Sequence, residues 1–173
     1  MNPFLLFSCL LLVAPTDMKS SYGSERGADD AASGRGEQAL QLITDFTPPS
    51  ADLGWYVVND NVMGGRSDGD FEVAQRGELR FSGRTNTNGG GFSSIRSGAL
   101  TLDLSRHAGI RLRVKGDGRR YTWRLTTEAR IYGRPIAYWA DFDTDVNQWQ
   151  ALDIPFSRFV PRVRGTVLDG PPL

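Results

Sequence analysis

Short stretches of alternating apolar and polar residues, broken at glycines, run through this chain from Phe71 onward. Phe71 and Val73 alternate with polar neighbours, and Leu79 and Phe81 alternate with Arg80 and Ser82. Ile110, Leu112 and Val114 alternate with Arg111, Arg113 and Lys115; Tyr121, Trp123 and Leu125 alternate with Thr122, Arg124 and Thr126. Successive side chains of a strand point to opposite faces, so this period predicts strands with one buried and one wet face. Trp55 to Asn59 is aromatic and β-branched, which also predicts a strand. Arg76-Gly77 and Gly116-Asp117-Gly118 read as turns, because glycine accepts positive φ. The second predicts a hairpin between the strands on either side of it. Ile136 to Phe142 and Trp149 to Ile154 predict another strand pair, joined near Asp143 to Asn147. No stretch of eleven or more residues has helical apolar spacing. With 20 glycines in 173 residues, many short strands and glycine turns predict an all-β sandwich or barrel.

The N-terminus breaks this pattern. Phe4 to Ala14 is apolar apart from Ser8 and Cys9, too short to span a bilayer as a helix and of the right length for a signal peptide. Residues 1–17 are therefore expected to be an export signal, favouring an exported or membrane-associated protein over a cytoplasmic one. Two features run against it: no Lys or Arg precedes the run, and Pro15 follows Ala14 directly. Met18-Lys19 is an alternative start. Residues 18–38, rich in Ser, Gly, Ala and Asp, predict a disordered linker. Residues 39–173 are left for one domain, large enough to bury a core without staples.

Charge excludes more than it suggests. Twenty basic residues balance twenty acidic ones, and the arginines are scattered, so nucleic acid is not an expected partner. Only Lys19 and Lys115 are lysines. The lone Cys9 excludes an internal disulfide and a cysteine metal site. The lone His107 has no nucleophile or carboxylate motif beside it, and it reads as a surface residue. No cofactor is expected. Asp141, Asp143 and Asp145 would share one strand face and form a weak Ca²⁺ candidate. Val146 stands where an EF-hand loop needs glycine, and Leu152 where it needs glutamate, so a solvated face is the plainer reading.

Two stretches stand out. Trp55-Tyr56-Val57-Val58-Asn59-Asp60-Asn61-Val62-Met63-Gly64-Gly65-Arg66-Ser67 starts as a strand and ends in a polar, glycine-bearing turn. Asn88-Gly89-Gly90-Gly91-Phe92-Ser93-Ser94-Ile95-Arg96-Ser97 echoes it. The glycine run lacks the Lys-Ser/Thr of a P-loop, which favours a loop corner over a phosphate cradle. Asn59 and Asp60 suit a ligand or a turn held by side-chain hydrogen bonds, the turn being favoured. Arg66 and Arg96 suit a contact with a partner's carboxylate, or a structural ion pair.

With Arg113 to Tyr121, and with Trp149 followed by Ile154-Pro155-Phe156, Phe159, Pro161 and Arg164-Gly165, these stretches resemble the complex I intermediate-associated protein 30 family. The resemblance covers Leu42 to Gly165. It implies a galactose-binding-like jelly-roll β-sandwich. Trp55, Met63, Gly64, Gly65, Gly90, Phe92, Gly116, Gly118, Trp149, Pro155 and Phe156 are its structural positions. It further implies a non-enzymatic assembly-factor role with a protein partner, such as membrane-complex subunits. The family continues past Pro171-Pro172-Leu173, so the last strands of the sandwich are expected to be missing. A carbohydrate-binding module is the alternative function for such a fold, and an enzyme is not expected.

Overall fold

The computed structural model describes residues 4–7, 12–15, 40–49, 52–74, 76–86 and 91–173, the first two segments as backbone. The expected linker and Gly90 lie outside the described residues. The regular structure of the described chain is strand, apart from two single-turn 3₁₀ segments.

The larger sheet contains β1 (Phe4–Phe7), β2 (Leu12–Pro15), β3 (Gln41–Leu42), β5 (Asp68–Ala74), β6 (Glu78–Arg84), β8 (His107–Lys115) and β11 (Trp149–Pro155). The second contains β9 (Arg120–Ile131), β10 (Arg134–Asp143), β12 (Val160–Val163) and β13 (Thr166–Val167). Two further strands, β4 (Tyr56–Asn59) and β7 (Ser93–Arg96), pair with each other as a separate ribbon. The two larger sheets face one another as a β-sandwich. Ile110, Leu112 and Val114 of β8, Leu79 of β6 and Ile154 of β11 pack with Ile136, Tyr138, Ala140 and Phe142 of β10. The alternation seen in sequence explains this: β8 sends its even-numbered residues inward and its arginines out, where Arg111 pairs with Asp153 of β11 at 2.6 and 2.9 Å.

Both strand pairings expected from turn position are replaced. β8 does not pair with β9, and β10 does not pair with β11; instead β11 lies beside β8 and β9 beside β10. The glycine turn after Lys115 and the connection after Asp143 each carry the chain from one sheet to the other. They run side by side: Asn147 N–H donates to the Gly116 carbonyl at 2.9 Å, and Thr144 N–H to that of Arg119 at 3.1 Å. Gly116 is required here because a Cβ would collide with the Thr144 side chain. A tight turn gives a reversal of direction but does not choose the hydrogen-bonding partner; burying two apolar faces against each other does.

The real hairpins lie elsewhere. β9 and β10 join through Tyr132-Gly133, with φ of +49° and +74°, and β12 and β13 through Arg164-Gly165, with +51° and +86°. Positive φ at both central residues marks type I′ turns, whose twist matches that of paired strands.

Candidate functional site

The two standout stretches come together in space. They form the β4–β7 ribbon, in which Tyr56 lies opposite Arg96 and Asn59 opposite Ser93. Asn59 Oδ1 accepts a hydrogen bond from Ser93 Oγ at 2.6 Å. The chain then turns through the 3₁₀ segment Asp60–Met63, closed by Gly64 at φ +83°. Asp60 is buried beneath this turn. Its carboxylate accepts from the Ser67 N–H and hydroxyl, both at 2.7 Å, while its own N–H donates to the Phe92 carbonyl at 3.1 Å. Ser67 Oγ in turn accepts from Asn86 N–H at 3.0 Å. A Cβ on either Gly65 or Gly91 would collide with the Asp60 carboxylate. One glycine from each stretch is therefore needed to let the backbones close over the same acid.

The hydrogen bonds from Ser67 hold the Asp60 carboxyl below its ordinary pKa. A carboxyl depressed on folding adds stability above its unfolded pKa, and that contribution is lost as pH falls through the folded value. Acid titration of the melting temperature should thus show a loss starting near pH 4. Asp60→Asn should flatten that segment of the curve; an unchanged acid limb would remove Asp60 from its cause.

Above the anchor the turn projects outward. Val62 and Met63 are 71% and 75% exposed, and Arg66 is exposed beside them. Met63, expected as a structural position, thus stands mostly in solvent. Of the other structural positions, Trp55 is half-buried against Phe46, with ring centroids 5.6 Å apart. Phe156 packs on Phe159 at the core's edge, Pro155 is exposed, and Phe92 is half-buried. Gly118 sits at φ +84° in the crossover. Trp149, flanked in sequence by Gln148 and Gln150, lies on the outer face of β11 under the Arg113 guanidinium, 4.5 Å from its ring centroid. His107 is half-buried at the start of β8.

A second arrangement occupies the outer face of the smaller sheet. Inward residues of β10 alternate with Ala137, Trp139, Asp141 and Asp143 on its outer side. Trp139 lies between Arg124 of β9 and Val160 of β12, its direct cross-strand neighbours. The Arg124 and Arg162 guanidiniums sit 3.7 and 5.1 Å from its ring centroid. An open depression of about 310 Å³ is lined by Thr122, Trp139, Asp141, Arg158, Val160 and Arg162. Desolvation, then the charges of Arg96 and Arg162, push the Arg124 pKa down. Arg124, Arg158 and Arg162 carry no mark in the sequence; only the β9–β10–β12 pairing gathers them.

The three aspartates do not gather as a cation cage. Asp143 is gripped by Arg120 at 2.8 and 3.2 Å, which lowers its pKa, and Asp141 accepts from Thr122 Oγ1 at 2.6 Å. Asp145 lies beyond the end of β10. Among the described residues no cluster of three or more His, Cys, Asp or Glu could hold a metal ion. No helix among them is long and apolar enough to cross a membrane.

The family model of complex I intermediate-associated protein 30 matches residues 44–173, which contain both motif stretches and the whole smaller sheet. The chain belongs to this family. Within it, a curated relative is the Drosophila melanogaster protein named complex I intermediate-associated protein 30, mitochondrial. It is 28% identical over an alignment of 147 positions, and the match covers 74% of this chain and 50% of the relative. The chain thus spans about half the length of the curated relative it matches. No solved structure matches the chain. In this family member the identifying motif is a buried acid under two glycines, which carries an exposed apolar tip.

Proposed function

We propose that this chain is a non-catalytic protein-binding module of the assembly-factor kind, and that the tip formed by Val62, Met63 and Arg66 contacts its protein partner. The observation that carries this reading is the division of labour within the motif. Asn59, Asp60 and Ser67 spend their polar groups on internal hydrogen bonds, leaving them poorly placed to act on a ligand. Val62 and Met63 instead hold large apolar side chains in water on a base pinned by Asp60. Exposed apolar groups beside an arginine, on a rigid support, suit a protein interface. The name of the Drosophila relative suggests subunits of respiratory complex I or a similar membrane complex as partner.

Sugar binding finds less support. It commonly needs an aromatic face open for stacking, and the rings of Trp139 and Trp149 already lie against arginines.

The test is affinity purification of the tagged full chain from native membranes solubilised in mild detergent. Subunits of a membrane complex should be recovered with it. Val62→Asp with Met63→Asp should reduce that recovery about tenfold or more, as expected for interface anchors, and leave the melting temperature unchanged. Equal recovery with the double variant would remove the tip from the interface.

A further inference from the structure

The outer face of the smaller sheet gathers Arg124 and Arg162 on Trp139 and Arg158 beside them, against two acids, Asp141 and the Asp143 already gripped by Arg120. Arg158 donates to the Asp141 backbone carbonyl at 2.9 Å and Arg162 to the Gly165 carbonyl at 2.8 Å. These acceptors are neutral, and Arg124 lies on the Trp139 ring. The salt bridges among the described residues involve Arg111, Arg119 and Arg120 instead. Asp141 is the single carboxylate lining the depression. Two nitrogens belonging to lining residues, Trp139 Nε1 and Arg162 Nε, are buried with no hydrogen-bond partner. A buried donor left unpaired costs about 1–3 kcal/mol, and arginines crowded together repel.

We propose that this face is a docking site for an acidic segment of a partner protein. Carboxylates of that segment would bind the guanidiniums of Arg158 and Arg162, with Arg124 adding attraction from the side. Val160 and the edge of Trp139 would take an apolar residue next to the acid. A carboxylate matches the planar fork of a guanidinium with two parallel hydrogen bonds. Phosphate fits less well, because its second negative charge would lie close to Asp141. The lining also offers apolar surface that a phosphate or nucleic-acid backbone would leave unused. The chain as a whole has no net charge, so the attraction is local to this face. The site is separate from the Val62–Met63 tip and stands whether or not the tip binds protein.

The probe is a dye-labelled ten-residue peptide of alternating Glu and Leu, followed by fluorescence anisotropy against the full chain. Binding should weaken as salt is raised from 50 to about 200 mM, because the contact is between exposed charges. Arg158→Gln with Arg162→Gln should weaken it about tenfold or more, and Arg162→Lys less, since lysine keeps the charge but loses the fork. Val62→Asp with Met63→Asp should bind the peptide normally, so failure of the tip reading and failure of this one are told apart. Melting curves show whether each variant is folded. Three results would overturn the proposal: no binding by the intact chain, equal binding of the matching Lys-Leu peptide, or full displacement by millimolar inorganic phosphate. Undiminished binding by a folded Arg158→Gln, Arg162→Gln variant would do the same.

Discussion

Deletion of residues 1–17 is expected to destabilise the domain by several kcal/mol and to drive the chains to associate. The segment runs antiparallel along β8: Leu6 lies opposite Lys115, Phe7 opposite Val114, Leu12 opposite Arg111 and Val13 opposite Ile110. On its other side β1 pairs with β6 over Phe4 to Phe7, and β2 pairs with β3. Removing it leaves β6 and β8 with open edges about 10 Å apart, the width of one missing strand. Each backbone hydrogen bond lost costs about 1 kcal/mol net. Unpaired edges at the centre of a sheet also recruit strands from other molecules. Thermal melting and light scattering of the full and shortened chains measure both effects. A shortened chain that stays monomeric and melts at the same temperature would show that the domain does not depend on this strand. The same apolar run reads in sequence as an export signal, so the experiment also decides between the two uses: a removable signal should be dispensable for folding.

Leu112→Ala is expected to cost about 2–5 kcal/mol, the usual range for emptying a leucine site in a packed core. In a domain of this size that lowers the melting temperature by roughly 5–20 °C. Leu112 has no exposed surface and sits midway along β8, between the β11 pairing and the N-terminal segment, facing the second sheet. Its surroundings are strands fixed on both sides, so the cavity cannot readily collapse. Arg111, the next residue, supplies the comparison. It pairs with Asp153 at the surface, each side chain being more than a third exposed, and such pairs contribute about 0–1 kcal/mol. Denaturant unfolding of Leu112→Ala and Arg111→Ala should therefore differ severalfold in cost. Equal costs would mean that β8 is not the centre of the core.

Much of the sandwich was readable from period-two alternation. The stretches of β5, β6, β8, β9 and β10 are where the pattern puts them, and their apolar positions face inward as expected. The pairing was not readable. Gly116 to Gly118 looks like a hairpin because its residues permit a tight turn, yet it is a crossover. Tyr132-Gly133, which does make a hairpin, lacks the Asn or Asp that usually marks one. Asp60 illustrates the same limit at the motif. Its sequence neighbours suggest either a ligand group or a turn. The choice depends on Ser67, Gly91 and Phe92, which reach it only once β4 and β7 have paired.

The sequence by itself determined the all-β class, the inward faces of most strands and the family. Those are carried by local alternation, by glycines at obligatory turns and by motif residues in a set order, all of which act within a few positions of each other. Only the tertiary structure decided which strands pair, that the two motif stretches share one buried acid, and that Arg124, Arg158 and Arg162 gather beside Trp139. These depend on contacts between distant parts of the chain, selected by burying two sheets against each other, and no local pattern encodes them.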